Sequence, residues 1–210
     1  MRTTTDVRPF HRIAVLTSIK IVDQITRDDL HHATPCAGWD LGDLLAHMTV
    51  QHRGFAAAAR GAGADLAVWD VDTVSEAVAV SPAATYAAAA RDVVDAFAAD
   101  GTMEAKFALP EFGPDVVVPG ALAMGFHFID YVVHGWDVAR SIDVDFQLPA
   151  DVIAAAEPIA FAVPDDASRR TPRSPFRTAL DSPRGSSRLD RILAHLGRSP
   201  AWVPRPVRCA

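Results

Sequence analysis

The sequence predicts a mainly α protein: one helical bundle domain with a short strand or hairpin insertion and extra C-terminal helices. Three observations carry this. Apolar residues recur at steps of three and four from the N-terminal region onward, and several further stretches are capped or alanine-rich as helices are. β-prone residues gather in two short runs about a Gly-Pro turn. The chain has 210 residues, half of them hydrophobic, which suits one sizeable core better than two domains.

Taken in order, "FHRIAVLTSIKIVDQI" places Val15, Ile19, Val22 and Ile25 at steps of four, three and three, which predicts the first helix. "HHATPCAGWD" is turn chemistry, and Asp40 is placed to cap a second helix running to about Arg60. The stretch "GAGADLAVWDVDTV" reads as a loop. "SPAATYAAAARDVVDAFAAD" reads as the third helix, with Ser81 as its cap and Pro82 at its first position. "MEAKFALPEFGPDVVVPG" holds the two β-prone runs, and "ALAMGFHFIDYVVHGWDVARSI" is the fourth helix. Pro149 opens a short helix to about Ala160. The helical core spans about residues 8–163. An irregular segment over 164–187 is punctuated by Pro164, Pro172, Pro175 and Pro183, and a closing helix over about 188–197 ends at Gly197.

Composition narrows function. A formal charge of -6 gives no general attraction to nucleic acid or to an acidic membrane, and the arginine-rich stretch over 169–191, broken by Pro, Ser and Gly, reads as a solvated loop. No apolar run approaches the roughly 20 residues of a membrane span, and the N-terminus lacks a signal-peptide centre, so the expected location is the cytoplasm. Two cysteines, Cys36 and Cys209, are too few for a disulfide framework or a thiolate-rich zinc site. A metal in this chain must be held by histidine and carboxylate.

Such a set is present. In "HFIDYVVHGWDVAR", His127, Asp130 and His134 stand at offsets of zero, three and seven, which at roughly 100° per residue puts them on one side of the helix. Their flanks are apolar, so this side points into the bundle, where an ionisable group needs a partner. His47, among Leu44, Leu45 and Met48 on the second helix, is a partner of the right kind. Two imidazole nitrogens and a carboxylate from His47, Asp130 and His134 would leave a divalent cation open to water or substrate. The alternative from spacing alone is a core histidine satisfied by Asp130, with His127 facing water and His47 paired to Asp43.

The motifs "TPCAGWDLGDLLAH" and "VHGWDVAR", with the tail "LDRILAHLGRSPAW", resemble the DinB-like metalloenzyme superfamily, specifically the mycothiol-dependent maleylpyruvate isomerase N-terminal family in its short, single-domain actinobacterial form. The resemblance implies a DinB-like four-helix bundle. It also implies a divalent metal, zinc first and nickel, iron or manganese next, held by His47, Asp130 and His134. The family's isomerases carry glutamate where Asp130 stands, one methylene longer, and a counterpart of their C-terminal substrate-binding domain is not expected in this chain. The implied cosubstrate is mycothiol, whose thiol attacks a small electrophile and is then released, as in isomerisation, or retained, as in S-transfer. His127 is then available as a general base, and Arg53, about 120° round the helix from His47, as a receiver of a substrate carboxylate. Two competing readings are an enzyme using the cavity without a thiol and a metal-free small-molecule binding module. The expected partners are a small substrate and a low-molecular-weight thiol, with a monomer or homodimer as the assembly.

The remaining candidates have plainer readings. Cys36 reads as a small thiol packed in a turn under the second helix, and Trp39 and Trp136 as core indoles. Asp137 is expected to bond locally or to pair with Arg140. His52, five residues past His47, points elsewhere, and His31, His32 and His195 read as solvated.

Overall fold

The computed structural model describes residues 5–171 and 174–204. Pro172 and Cys209 lie outside them. Helix α1 (Arg8–Val22) has proline in its first turn, where the missing N–H has no intrahelical acceptor to lose, and it buries Ala14, Val15, Ser18, Ile21 and Val22. Helix α2 (Leu41–Ala59) starts where expected. The Asp40 carboxylate accepts from the Asp43 backbone N–H at 2.9 Å, and the Asp43 carboxylate returns a bond to the Asp40 N–H at 3.2 Å. Asp43 is therefore engaged in the cap and does not pair with His47.

Two expectations are corrected in the next segment. Part of the expected loop is helical, as α3 (Asp72–Val80), because Val74 and Val78 recur at a helical step and are both buried, Val74 against Ala46 and Val50 of α2. The following helix, α4 (Pro82–Ala98), has Ser81 at its cap position, but the hydroxyl makes no capping bond. Strands β1 (Lys106–Ala108) and β2 (Val117–Pro119) form an antiparallel hairpin with Phe107 opposite Val118. Helix α5 (Gly120–Ser141) then runs through the middle of the protein with most of its residues buried. Helices α6 (Ala150–Ala162) and α7 (Arg188–His195) complete the chain.

Helices α1, α2, α4 and α5 form the four-helix bundle. Helix α1 lies beside α4 and α5, as does α2, while α6 covers α5 and α1, and α7 packs on α6. One half of the core gathers around Phe97, Phe107, Phe128, Trp136 and Ile192, and the other around Leu41, Leu44, Leu45, Met48, Tyr86 and Tyr131. Gly54 is where α2 receives Trp69: a Cβ there would stand 2.2 Å from the indole ring.

The arginine-rich stretch is not simply a solvated loop. Arg169 is buried, and its guanidinium donates to the carbonyls of Pro164 at 2.6 Å, Val163 at 2.9 Å and Arg177 at 3.2 Å, and to that of His195. A proline-rich segment has few backbone N–H donors for its own carbonyls, and the five-donor fork of arginine supplies them. His195 is part of the same knot, half-buried and 3.0 Å from the Val163 carbonyl oxygen. Among the described residues no helix is long and apolar enough to cross a membrane.

Candidate metal centre

The Asp40 cap fixes where α2 begins, and His47 follows two turns later, facing α5. On α5, Asp130 and His134 are one turn apart and point back at it. The His134 Nε2 to Asp130 Oδ1 distance is 3.5 Å, and the His47 and His134 rings meet edge-on with centroids 5.3 Å apart. One ligand atom from each of His47, Asp130 and His134 lies within 4.8 Å of the other two. Trp39 forms one wall, its ring centroid 4.8 Å from that of His47, and is 38% exposed rather than buried in the core. The turn that carries it ends at Asp40, so the indole is held at the rim of the bundle. Trp136 is in the core, as expected.

Behind His134 stands a buried network that sequence reasoning missed. The His134 Nδ1 is 2.9 Å from Asp137 Oδ2, and the same oxygen accepts from the Cys36 thiol at 3.1 Å and from Arg198 Nη2 at 3.3 Å. Arg198 Nη2 also donates to Cys36 Sγ at 3.1 Å. Burial alone would raise the Asp137 carboxyl pKa, but the Arg198 charge and the bond from His134 more than offset it, and the pKa lies below the ordinary value. Asp137 thus acts as a carboxylate that fixes the Nδ1 side of His134 and leaves Nε2 for the side facing His47 and Asp130. Arg140, the expected partner of Asp137, instead donates to the Trp202 carbonyl at 2.7 Å. Asp137 could have been read from its position three residues after His134, but nothing local indicates Arg198, 61 residues further on.

The charges favour cation binding at the front. Burial lowers the His47 pKa to about 4, with the His134 charge adding to the effect, so its lone pair is available at neutral pH. For His134, burial acts downward, but Asp130, Cys36 and Asp137 together hold the pKa well above the ordinary value. A site that holds a proton this firmly attracts positive charge, and two imidazoles with one carboxylate are a donor set suited to a divalent metal. The residues present therefore fit one. Cys36, His134 and Asp137 also come within 4.8 Å of one another, but there Arg198 already supplies the cation to two of the three.

His127, expected as a general base, is not brought to this site. Seven residues of helix separate it from His134, about 10 Å along the axis, so it meets the layer of His52 rather than that of His47. It is fully buried, with Nδ1 2.8 Å from His11 Nε2 and Nε2 3.2 Å from His52 Nδ1. The three imidazoles form a chain beneath Tyr131, which stacks on both His52 and His127. Burial pushes all three pKa values down, that of His11 to about 3. His52 thus points away from the triad, as its spacing suggests. Arg53 is exposed on α2, and among the described residues it makes no hydrogen bond or ion pair to the triad. His31 is exposed, and His32 lies half-buried near Asp29.

Residues 16–139 match the family model of the Mycothiol maleylpyruvate isomerase N-terminal domain. The chain belongs to this family. The matched segment contains His47, Asp130, His134 and Asp137 but ends before Arg198. The uncharacterised proteins Rv0738 and MT0763 of Mycobacterium tuberculosis are each 28% identical over 184 residues, covering 85% of this chain and 90% of theirs. Among solved structures, that of the mycothiol-dependent maleylpyruvate isomerase superposes with a TM-score of 0.55 at 9% identity. The match covers 70% of this chain and 65% of the isomerase, and it shows that the two share the DinB-like bundle.

Proposed function

We propose that this protein is a metal-dependent enzyme that acts on a small electrophilic substrate with mycothiol as its thiol cosubstrate, as an isomerase or S-transferase of the cytoplasm. The convergence of His47, Asp130 and His134 from two helices, with ligand atoms within 4.8 Å, is the observation that supports it most strongly. Family membership supports the thiol. Those three residues would hold a divalent cation, zinc first, and such a cation polarises a carbonyl or lowers the pKa of a bound thiol.

The chain's own residues supply the rest. Asp137, held by Arg198 and Cys36, keeps the His134 imidazole oriented with Nε2 toward the ligand set. The Trp39 indole shields His47 from bulk water on one side and offers an apolar wall to a substrate. His127 takes no part, since both its nitrogens are engaged in a buried layer. The reading is tested by thermal unfolding with and without mycothiol. Zinc-loaded protein should be stabilised by about 2.7 kcal/mol at a hundred times the dissociation constant. Protein stripped by chelator should gain nothing. Equal stabilisation of both forms would place the thiol elsewhere, and none in either would remove it from the reaction.

A further inference from the structure

The hairpin between α4 and α5 does more than connect them. Its tip, the turn Pro110–Phe112, touches both α2 and α5 one turn from the candidate metal centre. On the α2 side, the buried Gln51 donates from Nε2 to Glu111 Oε1 at 2.7 Å, and Gln51 stands four residues after His47. On the α5 side, Phe112 packs on Phe126 with ring centroids 5.4 Å apart, and Phe126 stands four residues before Asp130. Four residues are about 6 Å of helix, so both anchors sit one turn from the ligand set. The pairing of His47 with His134 and of His52 with His127 shows that the helices run in opposite senses, which puts both anchors on the same side of the centre. Gly113, at φ +145°, lets the chain turn back from the tip in a conformation other residues rarely adopt.

We infer that Glu111 sets the charge preference of the site: it receives a cationic or neutral hydrogen-bond donor of the ligand bound at His47, Asp130 and His134, and disfavours ligands that present a carboxylate there. This rests on the metal-centred reading above. The surrounding charges agree with it. Two positive charges of a divalent cation would be matched by Asp130 and Glu111, so once a thiolate is bound there is no excess positive charge to draw a carboxylate as well. Arg198 is committed to Asp137 and Cys36 behind His134. Arg53 lies on another face of α2. Although much of Glu111 meets solvent, burial of its carboxylate against α2 raises its pKa despite the Gln51 bond, and the Asp130 charge adds to the rise. The substrate class that follows is a thiol or electrophile bearing an amine, amide or hydroxyl near its reactive end.

The test uses zinc-loaded protein, with metal content verified, titrated calorimetrically at pH 8 with 2-aminoethanethiol, 2-mercaptoethanol and 3-mercaptopropionate. The cationic thiol should bind about two- to fivefold more tightly than the anionic one, the scale of a partly exposed ion pair, with the neutral thiol between. In E111Q the spread should collapse while zinc content stays unchanged. The control E104Q, at an exposed site on the approach to the hairpin, should keep it. Tightest binding of 3-mercaptopropionate, a spread that survives in E111Q, or loss of zinc in E111Q would each overturn the inference. Protein that holds no zinc sinks the metal-centred reading itself, whereas zinc-loaded protein that binds none of the three leaves the centre standing and removes Glu111 from ligand choice.

Discussion

Acidification should destabilise this protein well above the range in which carboxylates titrate, because His11, His52 and His127 are buried as neutral imidazoles. Their folded pKa values lie far below the ordinary 6.5, so as pH falls the unfolded chain takes up protons that the folded chain refuses. Stability is thus lost as pH falls below the unfolded value. Between pH 7 and about pH 5.5, each such imidazole costs about 1.3 kcal/mol and the three together about 4 kcal/mol, and in metal-free protein His47, whose pKa burial lowers to about 4, adds about as much as one of them. His134 works in the opposite sense: its pKa is raised, so its contribution grows as pH falls towards the ordinary value and offsets a minor part of this loss, is complete below that value, and is lost as pH rises through the folded pKa. Asp137, with a lowered pKa, gives up its contribution only below the ordinary carboxylate range. Urea unfolding of metal-free protein at half-unit pH steps measures the slope, and His11→Phe, which keeps a ring against Phe97, should remove about a quarter of the loss that the four neutral imidazoles produce. A stability that is flat from pH 7 to 5.5, or a slope unchanged in His11→Phe, would refute the buried neutral chain.

Three further outcomes follow from the packing and the site. Asp137→Asn should weaken zinc binding about 10- to 100-fold in a competition titration, as loss of an orienting partner does. Arg198→Met should weaken it in the same direction by less, since Cys36 and His134 still bond the carboxylate; unchanged affinity in both would separate the network from the centre. Gly54→Ala should lower stability by about 1–3 kcal/mol through its clash with Trp69, read by denaturant midpoint.

What the sequence disclosed and what it hid divide along physical lines. The helices were legible because periodicity and caps are local, as at Asp40, and His47, Asp130 and His134 were legible because helical spacing projects directly into facing positions. The α3 helix was hidden by low complexity and by the lack of a capping bond, and its helicity is decided by burial of Val74 and Val78 against other elements. The layer of His127 was hidden because spacing gives the angle about a helix, whereas its distance along α5 brings it to His11 and His52. Trp39 was expected inside because indoles are large and apolar, yet its turn ends at the rim. Arg198 and Glu111 reach the site through the tertiary fold from a terminal segment and a hairpin tip, and no local pattern in a single sequence marks such contacts.

The central claim is that His47, Asp130 and His134 hold a divalent metal, and elemental analysis of tag-free protein beside its variants tests it most directly. The parent should carry close to one divalent ion per chain. His47→Ala should lose most of it, Asp130→Asn should bind it more weakly, and Asp130→Glu should retain it. His127→Gln should leave it intact, because that imidazole bonds His11 and His52 in another layer. Negligible metal in both parent and His47→Ala, or a site emptied by His127→Gln while Asp130→Asn stays full, would contradict the account.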